Sequence, residues 1–508
     1  MQSVEDAGFE VVRLVADNHS TNCKFFASLS GGQICPVVTH PLDPDRQLFL
    51  SFDYCHIIKN VRNQFLDTKR IFRNAGVLIV PDYLRNLHDI QEKQAGAFRL
   101  VRCLTKKHLW PSNFQKMSVA RAVAIFSPQV TSVLRFLLKH AQQLGFHGFD
   151  DSLPTIEFME LVYKWFTLHN IKSTSLFWMS RDALRMPFYG PDDERLLWLE
   201  NECLIYFDLW KESTAHKLEF LSEETYEALR VTTMSTVLCT RHLLGRGFHF
   251  VLTGKFSSDD VESLFSTIRQ LNGSNDQTDA YAALSSLQKI LVTGCIHSSP
   301  SGNVGSVIGS IGEATKLAPQ PAAAAPPDKD IKKLLLPYLT ALEHFPSPPT
   351  QSLRASTLAL IAGFLVRAVQ DNSCCEGCLM KIQAPKSSST TTALIAGIDR
   401  GGLSYPSLPF VGFLSVLEGA ASKAAAILVK GQKPLQKFSS IVLPSLLKNS
   451  LFACTMNNSV SHRAALLNLI LRKFMRPFLA NYANNLTEAH SKRKLLNRKP
   501  LSRKVLKV

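Results

Sequence analysis

The stretch "QLFLSFDYCHIIKNVRNQF", residues 47–65, joins a short apolar run to an acid, Asp53, and then to a segment carrying His56, Lys59 and Arg62. The run has the length and residue types of a strand ending at Asp53. From about Cys55 to Leu66, the spacing of Ile57, Ile58, Val61 and Phe65 predicts a helix. A junction of this kind is where α/β folds present catalytic carboxylates. It is also where an ordinary helix takes its cap, so the acid alone decides nothing.

A second junction lies far downstream. In "HFVLTGKFSSDDVESLFSTIRQL" the pattern predicts a strand through Val251, then a helix with Ser257 or Ser258 as N-cap. Asp259, Asp260 and Glu262 fall in its first turn, where the helix dipole favours acids. Upstream, "GFEVVRLVADNHSTN" predicts a buried strand from Val11 to Val15 and a helix capped at Asp17, with Asn18, Ser20, Thr21 and Asn22 beside it. "ICPVVTHP" reads as a hairpin or edge piece, and "GVLIVPDYL" as a short extended segment.

Residues 88 to 250 repeat apolar positions at three and four almost throughout, a helical block set between the other elements. Residues 298 to 330 are Gly, Ser, Pro and Ala with little to bury and read as a linker. A further helical region follows, and then a tail carrying Lys492, Arg493, Lys494, Arg498, Lys499, Arg503, Lys504 and Lys507 without an acid.

The chain has 508 residues, is 45% hydrophobic and carries a formal charge of +16, which fits several packed cores and attraction to polyanions, nucleic acid foremost. The tail reads as a nuclear-import signal or a phosphate contact. Eleven scattered cysteines suit reduced thiols better than a disulfide framework. The acidic opening "MQSVEDAGFE" gives no secretory signal, and the apolar stretches fall short of the roughly 20 residues of a bilayer span, so a soluble nuclear protein is expected. "CCEGC", with Cys374, Cys375 and Cys378, reads first as buried thiols. Zinc would need a ligand from far away, with His344 and His462 as candidates.

"LSFDYCHIIKNVRNQF" together with "VLTGKFSSDDVESLFSTIRQLNGSNDQTDAYAALSSLQKIL" resembles the P-element transposase family, which includes THAP domain-containing protein 9. The matching residues are Asp53, Tyr54, Cys55, His56, Lys59, Asn60 and Arg62 or Asn63 in the first motif and Glu262 in the second. The resemblance implies an α/β RNase H-like core, incomplete at its N-terminus, interrupted by a large all-α insertion and followed by a mostly α-helical C-terminal region. On that reading residues 1–88 and 248–297 are the two parts of the core, and 89–247 the insertion. Residues 298–330 are then the linker, 331–490 the helical C-terminal region and 491–508 the tail.

The same resemblance implies Mg²⁺- or Mn²⁺-dependent DNA cleavage and strand transfer, with Asp53 and Glu262 as catalytic metal ligands. The residues themselves offer His56 as a contact for a phosphate or a metal-bound water, or else as a packing or capping residue, and Lys59, Arg62, Lys69 and Arg70 as a basic run for DNA phosphates, or else as a solvated helix face. The family's insertion binds GTP, which would place nucleotide contacts near Asp208 and at Asp259. Lys211 stands where the family has Asn. "LTGKFSS" is not a Walker A motif, since Phe256 occupies the Ser/Thr position and the upstream Gly is missing. The family's first catalytic Asp precedes the segment that opens this chain. A copy starting at Met1 is therefore expected to be truncated and inactive alone, with Asp17 reading as a cap rather than a substitute ligand. The alternatives are a domesticated, non-catalytic nuclear protein that binds DNA or a protein partner, and a GTP-binding regulatory module. Homo-oligomers are expected and no membrane partner is.

Overall fold

The computed structural model describes residues 1–93, 98–180, 182–273, 277–293, 328–344, 352–372, 375–386, 391–399, 402–454 and 459–496, with 347, 389, 456 and 457. Most of the expected linker and residues 497–508 of the tail lie outside that set. The chain divides into two compact units, the first of residues 1–88, 103–139 and 147–316, the second of 89–102, 140–146 and 317–508. Both are mostly helical.

The first unit is organised on a three-stranded sheet in the order β1-β3-β2. Strand β1 (Arg13–Ala16) runs parallel to β3 (Asp43–Phe52), with Ala16 opposite Phe52, and β2 (Val37–His40) runs antiparallel on the other side. The first half of β3 is partly open, while Leu48, Phe49, Leu50, Ser51 and Phe52 are all buried. Burial of consecutive residues means both faces are covered there, which explains why this run does not alternate with polar residues. At its end β2 has stopped pairing, and the Thr232 hydroxyl accepts from Phe52 N–H at 2.9 Å and donates to Phe52 C=O at 3.1 Å. One side chain of the helix Glu223–Gly245 thus takes over the hydrogen bonds a neighbouring strand would supply.

"GVLIVPDYL" contributes β5 (Val77–Ile79), which pairs with β4 (Phe72–Asn74) in a hairpin whose turn residues Ala75 and Gly76 both have positive φ. "HFVLTG" is not the strand its composition suggested. Val251 makes an isolated bridge to Phe188, and Thr253–Lys255 closes into a single 3₁₀ turn. Gly254 explains the tight course: a Cβ there would lie 2.8 Å from the Ile171 carbonyl and 2.7 Å from Lys172 Cγ. The glycine serves close packing rather than a phosphate loop. Phe65, Phe72, Phe126, Phe158 and Trp210 form a ring-on-ring core among the surrounding helices.

The second unit is a helical bundle built from Asp328–Glu343, Leu353–Asn372, Leu408–Leu428, Pro434–Leu446 and Val460–Leu496. Ala420, Ala421, Ala424 and Ala425 keep one helix face small, and a Cβ on Gly419 would press 2.7 Å from the Tyr338 ring, so neighbouring helices approach closely. Asn449 ties the bundle's turns by donating to the carbonyls of Leu342 and His344.

Three helical stretches, Val119–His140, Leu353–Asn372 and Leu408–Leu428, are long and apolar enough to cross a membrane, which corrects the expectation that none reaches that length. Between 56% and 67% of each is buried within the fold, and Leu358, Ala362, Val366, Phe410, Leu414 and Leu417 show where that apolar surface goes.

A candidate metal centre and its surroundings

Asp53 caps the helix Tyr54–Leu66, as its position between strand and helix dictates: Oδ1 accepts from Cys55 N–H at 3.0 Å. That bond uses one oxygen only. The other, Oδ2, accepts from Ser258 Oγ at 2.9 Å and lies 3.9 Å from His56 Nε2. Capping and a second role are therefore both open to this carboxylate, although the sequence made them look like competitors.

Ser258 is the N-cap of the helix Asp259–Leu271, yet its side chain makes no capping bond. Its hydroxyl faces Asp53 Oδ2 and, at 3.1 Å, Glu262 Oε1. Glu262 sits one helical turn further on, and its Oε1 also meets His56 Nε2 at 3.4 Å. Cap geometry falls instead to Ser257, whose Oγ accepts from Asp259 N–H at 3.3 Å. The Asp53, His56 and Glu262 ligand atoms all lie within 4.8 Å of one another.

The electrostatics of the two acids differ. Burial pushes the Asp53 carboxyl above the ordinary aspartate range, against the lowering pull of Cys55 N–H, Ser258 and His56. The hydrogen bond from His56 holds Glu262 below the usual carboxylate range, with Ser258 and the Lys59 charge adding to it. Asp53 is fully buried and Glu262 about 41% exposed, so the site has a closed inner side and an open outer one. A hydroxyl has one proton, so Ser258 can satisfy only one carboxylate oxygen at a time. Two acid oxygens converging on that single donor fit a hard divalent cation with oxygen ligands, and Asp53, Glu262 and the His56 imidazole are the side chains that would hold it.

A second grouping joins Asp53, Cys55 and Asp259. Burial drives the Cys55 thiol well above its usual range, and a soft sulfur suits a hard oxygen-seeking cation poorly. Asp259 is bound to Lys172 Nζ at 2.6 Å. Asp208 has a separate partner, accepting from Tyr226 O–H at 2.5 Å within the helix Leu204–Ser213. The two residues expected at a nucleotide thus hold different partners, and Asp259 belongs with the carboxylate cluster.

Arg62 corrects an expectation. It is buried, donating through Nε to Asn63 Oδ1 at 2.8 Å and through Nη2 to the Lys116 carbonyl at 2.7 Å, and burial lowers its pKa to about 10. Its helical spacing puts it on the same inward stripe as Ile58 and Phe65, so it anchors packing and cannot meet a DNA phosphate. Lys59 and His56 occupy the half-buried side of the same helix. Asp17 does not cap the helix Ser20–Leu29 either. His19 does so, through Nδ1 to Thr21 N–H, while Asp17 is held by Asn22 at 2.5 Å.

Comparison with known proteins finds likeness in separate stretches of the chain. Residues 55–177 match the family model for the TNP-like, GTP-binding insertion domain, and residues 349–484 match that for the DNA transposase THAP9, C-terminal domain. The Transposable element P transposase of Drosophila melanogaster is 25% identical over 176 residues, 34% of this chain and 22% of that protein. In these segments the chain is similar to the P-element transposases and to THAP9. It spans about a fifth of the curated transposase's length. Among solved structures, the Drosophila P element transposase strand transfer complex aligns with 57% of this chain and 62% of that one, at 19% identity and a TM-score of 0.48.

Thr232 and Ser258 went unremarked in the sequence as parts of the site. Ser258 had a signal, a serine immediately ahead of paired acids. Thr232 sits inside a long helix with no local mark of its partner.

Proposed function

We propose that the first unit is an RNase H-like core for metal-dependent DNA cleavage and strand transfer, with Asp53 and Glu262 as the carboxylates that hold Mg²⁺ or Mn²⁺. The observation that carries this reading is the meeting of two acids from distant motifs on Ser258 and His56. A bound divalent ion would supply activation of a water or 3′-hydroxyl and charge neutralisation at the phosphodiester. Asp53 contributes a fixed oxygen from a rigid strand end, and Glu262 a more exposed one from a helix turn. His56 orients Glu262, which it meets at 3.4 Å. Lys59, one turn along from His56, adds positive charge for DNA. GTP belongs with the helical part of the unit, which residues 55–177 of the insertion-domain match support, and Asp208, beyond the matched residues, is the side chain that the family resemblance offers for test. DNA work and the basic tail together favour the nucleus.

The test is cleavage and joining of end-labelled DNA by the full chain in Mg²⁺ or Mn²⁺, comparing wild type with Asp53→Asn and Glu262→Gln. Activity lost in both supports the assignment, and activity indifferent to either substitution sinks it.

A second reading, a non-catalytic DNA- or protein-binding member of the family, is favoured by one observation. The third carboxylate near Asp53, that of Asp259, is held by Lys172 at 2.6 Å and is not in the group of Asp53, His56 and Glu262, and Asp17 is turned to Asn22. Metal-independent DNA binding without any strand cleavage would select it.

A further inference from the structure

In the second unit, three segments bring soft ligands to one point. Cys375 caps the short helix Glu376–Ile382, and Cys378 lies one turn along it, so the Cys-x-x-Cys spacing puts both thiols on one side. Cys454 follows the 3₁₀ turn Ser450–Phe452. His462 stands in the first turn of the helix Val460–Leu496. The Cys375 and Cys454 sulfurs are 3.3 Å apart, Cys378 Sγ is 3.1 Å from His462 Nε2, and all four ligand atoms lie within 4.8 Å of one another.

Ordinary packing of thiols does not account for this. Sulfhydryls are weak donors and weak acceptors, so they have little reason to converge with an imidazole. Cys203 and Cys239, also buried, join no such group among the described residues. Tetrahedral zinc with Zn–S near 2.3 Å and Zn–N near 2.0 Å needs ligand atoms about 3.5 to 3.8 Å apart, inside the spread seen here. The loop between Cys454 and His462 is already shaped for the purpose. Asn457 N–H points at Cys454 Sγ at 3.4 Å, Ser459 N–H bonds Asn457 Oδ1, and His462 N–H bonds Ser459 Oγ. Such outer contacts orient ligands and favour the thiolate form.

We propose that Cys375, Cys378, Cys454 and His462 form a structural Zn²⁺ site of the Cys₃His type. Cys378 and Cys454 are buried in the core of the bundle, and four protein ligands leave no open position, so the metal staples the short helix and the loop to the last helix rather than performing catalysis. On loading, each thiol gives its proton to solvent, and three thiolates with a neutral imidazole around Zn²⁺ leave a net charge of −1. Of the histidines the sequence offered, His462 is the ligand. His344 lies outside the group, at a helix end whose carbonyl bonds Asn449. Cys374, next to the motif, lies outside the described residues. The site is separate from the carboxylate cluster and stands whether or not the proposed function does.

The test is zinc content of the purified full chain after equilibration with Zn²⁺ and removal of loose metal, alongside the absorption spectrum with Co²⁺ in its place. We expect one zinc per chain, lost in Cys378→Ser and Cys454→Ser, retained in His344→Ala, and retained in His462→Cys with stronger thiolate-to-cobalt bands. Should the serine variants fail to fold, the wild-type Co²⁺ spectrum decides: intense tetrahedral bands support the site. A folded wild type that takes up no zinc, a weak octahedral cobalt spectrum, zinc that survives both Cys378→Ser and His462→Ala, or a Cys375–Cys454 disulfide in the native mass would each overturn it.

Discussion

Asp53 and Glu262 share one hydroxyl: Ser258 Oγ lies 2.9 Å from an oxygen of the first and 3.1 Å from an oxygen of the second. A single proton between two acids leaves one contact short of a donor, and a cation is the natural complement. Manganese binding, followed by electron paramagnetic resonance or calorimetry, should therefore weaken at least roughly tenfold in Asp53→Asn and in Glu262→Gln. Ser258→Ala should keep the ion, because the hydroxyl is not needed once both acids face a metal. Unchanged affinity in the two acid variants would remove the metal-centre assignment.

Thr232 substitutes for a strand at the end of β3, so Thr232→Val leaves the buried Phe52 N–H and C=O without partners. Each orphaned group costs about 1 to 3 kcal/mol, and a loss of about 2 to 6 kcal/mol in denaturant unfolding is expected. Thr232→Ser, which keeps the hydroxyl, should recover most of it.

Arg62 and Lys59 should separate cleanly. Arg62→Ala removes a buried guanidinium that holds the Lys116 carbonyl, and it should lower the thermal midpoint. Lys59→Ala should leave stability nearly unchanged and weaken DNA binding, reducing the slope of log affinity against log salt by about 1. An equal loss of DNA affinity in both, without a stability change in Arg62→Ala, would contradict the placement described.

His169 gives a pH signature. It is wholly buried, with Nδ1 against the Trp165 carbonyl, and desolvation lowers its pKa to about 4 from 6.5. The folded state then binds fewer protons than the unfolded one between those values. Its contribution is complete above about pH 6.5 and disappears as the pH falls to about 4. The full span corresponds to about 3 kcal/mol. Urea titrations at stepped pH should show a shallower acid slope in His169→Gln than in wild type. His108, lowered to about 4 by burial and nearby cations, keeps part of the slope in that variant.

Gly254 lets the backbone ahead of Ser258 lie against Ile171, with its N–H 2.9 Å from the Ile171 carbonyl. Gly254→Ala should push that segment outward and lower manganese affinity without touching either acid, while Gly190→Ala, where the backbone is unstrained and no neighbour stands within 4 Å, should leave affinity unchanged.

The strand ending at Asp53, the helix after it and the acidic helix start at Glu262 were legible because each is written locally, in hydrophobic period and cap chemistry. The meeting of those acids was not legible from period or spacing. It entered only through family resemblance, since convergence depends on how the intervening helices pack. Arg62 misled because a cation among Lys59, Lys69 and Arg70 looks solvated, yet its helical position faces the core. "HFVLTG" misled because strand-forming residues with no available partner settle into a bridge and a 3₁₀ turn. At Cys375 and Cys378 the spacing was visible, but Cys454 and the choice of His462 required the bundle.

The division of labour within Asp53 has an evolutionary corollary. On the proposed reading, a descendant that no longer cut DNA would still be pressed to keep Asp, Asn or Ser at position 53, simply to start the helix. Glu262 makes no capping bond and serves its helix only as one of three first-turn acids, so drift would reach it first. Among relatives of this chain, the identity at 262 is the sharper record of whether the chemistry is still under selection.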